Sequence, residues 1–202
     1  MEPRQNKRLH LHGSLGAGKS YLLAALVCQL RVENIPVVYL PDCYELLMAE
    51  PATMYIIPAV YAAFSSDLQL GKQARNFLKV IEDTNYNPQR LNWELQVFFN
   101  QAAAMGKHIM FIVDQANALD QGVHDRVTDK KKMEVRGLLD GFTVNHMKIA
   151  SSTANYLAAK YDEFRATSEK QLTLLMGLNE VSTWGLHFAF LHLSTLGTNE
   201  QP

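Results

Sequence analysis

The stretch LHLHGSLGAGKSYLLAAL, Leu9 to Leu26, changes its hydrophobic period across eight residues. Arg8 to His12 alternates, with apolar Leu9 and Leu11, and predicts a strand. Lys19 to Glu33 carries Leu22, Leu23, Leu26, Val27 and Leu30 at helical spacing. Between them Gly13–Ser14–Leu15–Gly16–Ala17–Gly18–Lys19–Ser20 fits the phosphate-loop pattern GxxxxGK[ST] at every fixed position. Gly13 and Gly18 let the backbone turn tightly and approach oxyanions with no Cβ in the way. The expected nucleotide contacts are Gly13, Ser14, Gly16, Ala17, Gly18, Lys19, Ser20 and Tyr21, with amides aided by the positive end of the following helix. Lys19 is expected at the terminal phosphates, and the Ser20 hydroxyl on Mg²⁺. The implied cofactors are ATP or another nucleoside triphosphate, and Mg²⁺.

Four further apolar runs read as strands: Ile35–Asp42, His108–Gln115, His146–Thr153 and Lys170–Gly177. Residues 43–107 read as mostly helical, broken near Asn85–Pro88, and 120–136 as a polar stretch. Trp93, Phe98 and Phe99 fall at helix spacing and are expected in the core. Strands that are apolar on both faces and alternate with helices predict an α/β fold, a mainly parallel sheet with helices on both faces. The division expected is a P-loop NTPase core over 1–177 and the start of a C-terminal helical segment over 178–202. In such sheets ligands bind at the carboxyl ends of strands. The glycine loop, Asp114 and Ser151–Asn155 all fall at such ends.

At 202 residues with 48% apolar side chains, the chain can build one real core. A net charge of -1 predicts no bulk attraction to nucleic acid. Cys28 and Cys43 form no CxxC pair, which leans towards a reducing compartment. No targeting segment and no membrane span are expected: MEPRQNKRLH lacks an apolar core, and Met54–Phe64 is too short and holds Pro58.

Asp114 closes an apolar run, where an acid can hold the Mg²⁺ hydration shell beside Ser20. The alternative is an aspartate that caps a turn. Gln115 follows, where many hydrolysing ATPases carry glutamate. Glutamine cannot accept a proton but can orient a water, so hydrolysis is expected to be slow, or the base lies at Asp120, Asp125 or Glu134. Ser151, Ser152, Thr153 and Asn155 follow the fourth strand. They either sense the terminal phosphate or cap the next helix, Asn155 being the stronger candidate. Arg165 is either a helix-end cation or an arginine finger that acts on a neighbouring copy's nucleotide. Arg126 and Arg136 are weaker forms of the same idea. Lys130–Lys132 reads as a solvated loop or a nucleic-acid patch. His10, His12, His187 and His192 match no zinc spacing, so packing or surface roles are expected.

Together the runs HGSLGAGKSYLLAALVCQLR, VVYLPDCYELL, FIVDQANAL and IASSTANYLAAK resemble the P-loop ATPase module of Crinkler-type effectors and the related retrotransposon hot spot proteins. The distinctive features are Tyr39–Cys43, the Asp114–Gln115 pair and the run Ser152–Asn155. The likeness covers Leu9 to about Trp184, and GLNEVSTWGLHFAFL is similar to the start of that module's helical lid. The resemblance implies an AAA- or STAND-like NTPase fold, secretion, and action in a host nucleus on a nuclear protein or DNA. Otherwise a cytoplasmic location is expected. The rival readings are a nucleotide-stabilised protein- or nucleic-acid-binding module without significant turnover, and a small-molecule kinase.

Overall fold

The computed structural model describes residues 8–13, 18–82, 86–122, 126–152 and 170–174. Within them lie five strands: β1 (Arg8–Gly13), β2 (Val37–Leu40), β3 (Met110–Val113), β4 (Met147–Ser151) and β5 (Lys170–Leu174). They form one sheet in the order β2-β3-β4-β1-β5, and every pairing is parallel. The helices are α1 (Lys19–Val32), α2 (Cys43–Met48), α3 (Thr53–Phe64), α4 (Gly71–Glu82), α5 (Pro88–Ala104) and α6 (Asp129–Thr143), with a 3₁₀ turn at Ala116–Leu119. The expected α/β class is therefore observed. Thr153, Asn155, Arg165 and the segment 178–202 lie outside the described residues.

Strand parity divides the sheet into two faces. On one, Leu11, Met110, Ile112 and Ile149 pack against Leu23, Leu26, Val27 and Leu30 of α1. On the other, Val38, Leu40, Phe111 and Val113 meet α2 to α6 in the larger core. Phe99 is the hub of that core, with ring centroids 5.1 Å from Phe111, 5.0 Å from Phe142 and 5.6 Å from Phe98. His146 ties the layers together. Its Nε2 donates to the Phe99 carbonyl at 3.1 Å, and its Nδ1 lies 3.5 Å from the Ile109 amide. A carbonyl only accepts, so the proton sits on Nε2.

Several expectations are corrected. β2, β3 and β4 are shorter than the apolar runs that contain them. Pro36 and Pro41 lack ladder donors and bracket β2. The polar stretch 120–136 is half helix, because α6 begins at Asp129 with Thr128 as its cap. The lysine run is thus the first turn of α6 rather than a loop. Lys130 pairs with Glu134 at 4.0 Å, Lys131 pairs with Glu50, and Lys132 is buried beside Asp129 at 3.3 Å. Trp93 is 66% exposed. The buried stripe of α5 is Leu91, Leu95, Phe98, Phe99 and Ala102, and Trp93 lies two residues, or about 200°, from Leu91 and Leu95.

Strand order fixes where a ligand can sit. The chain leaves β1 towards the β2 edge and leaves β4 towards the β5 edge, although β1 and β4 are neighbours. Adjacent strands with diverging exits make a topological switch point, and the crevice opens beyond their carboxyl ends.

Candidate functional site

At that crevice β1 ends on Gly13, and α1 starts at Lys19. Ser14, Gly16 and Ala17 lie outside the described residues. Gly18 stands in the left-handed region at φ 77°, ψ 18° and receives no side-chain cap. By contrast Asp42, Asn87 and Thr128 cap α2, α5 and α6 with their side chains. The first turn of α1 holds no acid either. Among the described residues, no side chain caps the start of α1 as those three do.

Lys19 breaks two local rules. It places a cation at the positive end of a helix, and it is buried, with 8% exposure. Burial draws its ammonium below the ordinary lysine range, and the Asp114 carboxylate pulls it back up. That field links loop and acid across the strand between them. Register explains how: Leu11 pairs with Ser151, and Ala150 pairs with Val113, so Asp114 stands level with Ser151 of the adjacent strand β4 and two strands from β1. Two strand spacings amount to about 10 Å. Ser20 and Tyr21 are exposed on the first turn of α1.

Asp114 is 2% exposed, Ser151 1%. The Ser151 hydroxyl donates to Asp114 Oδ1. The Gln115 amide is shared between Asp114 Oδ1 at 2.8 Å and Ser151 Oγ at 3.3 Å. Gln115 is half-buried and holds φ 55°, ψ 36°, a conformation uncommon for a residue with a Cβ. Asp114 therefore does cap a turn, but with one oxygen only.

The Asp114 field reaches two neighbours that the sequence did not single out as site residues. Burial first, and then Asp114, raises the Tyr39 hydroxyl. Burial first, then Asp42 and Asp114, pushes the Cys43 thiol far up, so it stays protonated and unreactive. Motif spacing carried no signal for either.

Parity separates residues that sequence had grouped. Ser151 continues the α1 side of β4 after Ile149, whereas Ser152 faces the other way. There it meets His10 of β1, Nε2 to Oγ at 2.6 Å, with both side chains buried. A cleft of about 160 Å³ opens on that second face, lined in part by His10, Asn117, Asp120, Arg136 and Ser152. It lies across the sheet from Lys19 and Asp114, so it is distinct from the crevice. Its charges are largely matched: Arg136 pairs with Asp120, and Arg8 and Lys148 pair with Asp140 at 3.6 and 2.9 Å. Arg136, held by Asp120 and by the Leu119 carbonyl at 3.2 Å, is already committed within the chain. Asp120 is correspondingly unsuited as a base, and Glu134 is an exposed partner of Lys130. Arg126 is exposed, and Asp125 lies outside the described residues.

Among the described residues no cluster of three or more His, Cys, Asp or Glu could cage a metal. One buried carboxylate and one hydroxyl suit Mg²⁺ nonetheless, which keeps most of its waters and takes the rest of its ligands from phosphates. No described helix is long and apolar enough to cross a membrane. The sequence matches no protein-family model and no curated protein.

Proposed function

We propose that the chain is an ATP- and Mg²⁺-binding P-loop NTPase with slow hydrolysis. The observation that carries the reading is the buried cation Lys19 at the uncapped start of α1, at the sheet's switch point and within the field of Asp114. A cation at the positive end of a helix opposes the helix dipole, and a triphosphate bound there would add the negative charge that this end favours. Lys19 and the first amides of α1 would hold its terminal phosphates, and Ser20 and Asp114 would hold Mg²⁺ through its hydration shell. The metal supplies charge neutralisation on the phosphates when bound. Gln115 orients a water without taking its proton, which sets the slow rate. On the resemblance, this nucleotide state controls a Crinkler-like effector in a host nucleus.

The second reading, a nucleotide-stabilised binding module without turnover, is favoured by Gln115 standing where an acid would serve. Nucleic-acid recognition through Lys130–Lys132 is disfavoured, since each of those lysines already has a carboxylate beside it. Titration with ATP and Mg²⁺, together with measured phosphate release, separates the readings. Lys19→Ala is expected to weaken ATP binding at least about tenfold, the loss of a charge-assisted contact. Equal affinity of the two proteins would sink the assignment. Binding with no phosphate release would select the second reading.

A further inference from the structure

We infer that Ser151 is a positioning residue: it fixes which oxygen of Asp114 is offered to the metal's hydration shell. The inference rests on the nucleotide reading above. Asp114 Oδ1 takes two donors, the Ser151 hydroxyl and the Gln115 amide at 2.8 Å. No described hydrogen bond reaches Oδ2. The terminal torsion of an aspartate is broad and two-fold, so a strand-end carboxylate would otherwise present either oxygen at a range of angles. Ser151 removes that freedom from the neighbouring strand, and its own place is set by the backbone register that pairs Ile112 with Ile149 and Val113 with Ala150. The same hydroxyl accepts from the Gln115 amide at 3.3 Å. It thereby supports the left-handed backbone at Gln115, a conformation that persists only where its surroundings impose it. One side chain on β4 thus orients both the metal-side acid and the residue that follows it. Ser152 cannot substitute, because it points to the opposite face and is bonded to His10.

The test is ATP affinity measured by calorimetry in two arms, with Mg²⁺ and with chelator, for wild type, Ser151→Ala and Ser151→Thr. Without Mg²⁺, Ser151→Ala is expected to bind ATP within about twofold of wild type, because Lys19 and the loop amides are untouched. With Mg²⁺, wild type gains affinity, and Ser151→Ala forfeits about tenfold or more of that gain, the usual effect of losing a partner of a metal-side ligand. Threonine, which keeps the hydroxyl, restores it. A structural role alone would weaken both arms equally. An undiminished Mg²⁺ gain in Ser151→Ala overturns the inference and leaves the nucleotide reading intact, whereas no Mg²⁺ gain in wild type overturns the inference together with the Mg²⁺ part of that reading. Wild type that binds ATP in neither arm overturns both. If Ser151→Ala does not fold, Ser151→Cys, a close isostere with a weak donor, takes its place. A full Mg²⁺ gain in that variant overturns the inference as well.

Discussion

Lys19 and Gln115 are the two residues where local preference is violated most plainly. A lysine is among the least suited residues for a buried helix start, and Gln115 adopts a backbone conformation that glycine or asparagine would take more readily. Both violations fall beyond the carboxyl ends of strands, Lys19 after β1 at the switch point and Gln115 after β3 next to β4. Such strained or misplaced residues cluster at functional sites. The chemistry at Gln115 is testable. Gln115→Glu puts a proton acceptor beside Asp114 and is expected to raise phosphate release at least about tenfold, short of the 10²–10⁴ of a perfectly placed general base. Unchanged turnover with unchanged ATP affinity would remove residue 115 from the water-orienting role.

At the scale of elements, capping and close approach explain why helices start where they do. Asp42, Asn87 and Thr128 each accept backbone N–H groups of the helix that follows. Asp67 instead fixes the turn that leads into α4, accepting from the amides of Gln69 at 2.9 Å and Leu70 at 2.8 Å. Gly71 opens α4 for a different reason. A Cβ there would lie 2.6 Å from the Phe64 carbonyl oxygen at the end of α3. Alanine is the better helix former by about 1 kcal/mol in an open helix. At this corner it meets backbone, so Gly71→Ala is expected to destabilise the protein by about 1–3 kcal/mol, the range for overpacking. Urea denaturation measures it, and a stabilised variant would mean that the α3–α4 corner yields freely.

At the scale of the whole molecule, the two cores are joined through one sheet, and His146 sits where α5, β3 and β4 converge. Burial draws its imidazole below the ordinary range; the Phe99 carbonyl pulls it back up, and His108 pushes it further down. Below the ordinary histidine value of about 6.5 the unfolded chain takes up a proton that the folded chain refuses. Stability therefore falls as pH drops below that value, and the loss levels off below the folded pKa. One proton limits the slope to about 1.4 kcal/mol per pH unit. Denaturation midpoints for wild type at pH 7.5 and 5.5 should differ more than those of His146→Gln, which can donate and accept but does not titrate in this range. Equal differences would assign the acid sensitivity to other groups.

The sequence by itself determined the α/β class, the five strands, the exit of β1 into a glycine loop and the identity of Lys19, Ser20, Asp114 and Gln115 as candidates. These follow from short-range patterns: period, glycine placement and strand-end acids. It left Trp93 in the core and the lysine run in a loop, because one side of a helix cannot be told from the other until its neighbours are placed. Only the tertiary structure decided the strand order, and with it the switch point. It also decided that Ser151 meets Asp114 while Ser152 turns away to His10. Those contacts join residues 37 and 142 positions apart. They depend on a register that is fixed only when both faces of the sheet are packed, since a slip by one residue would exchange the two serines.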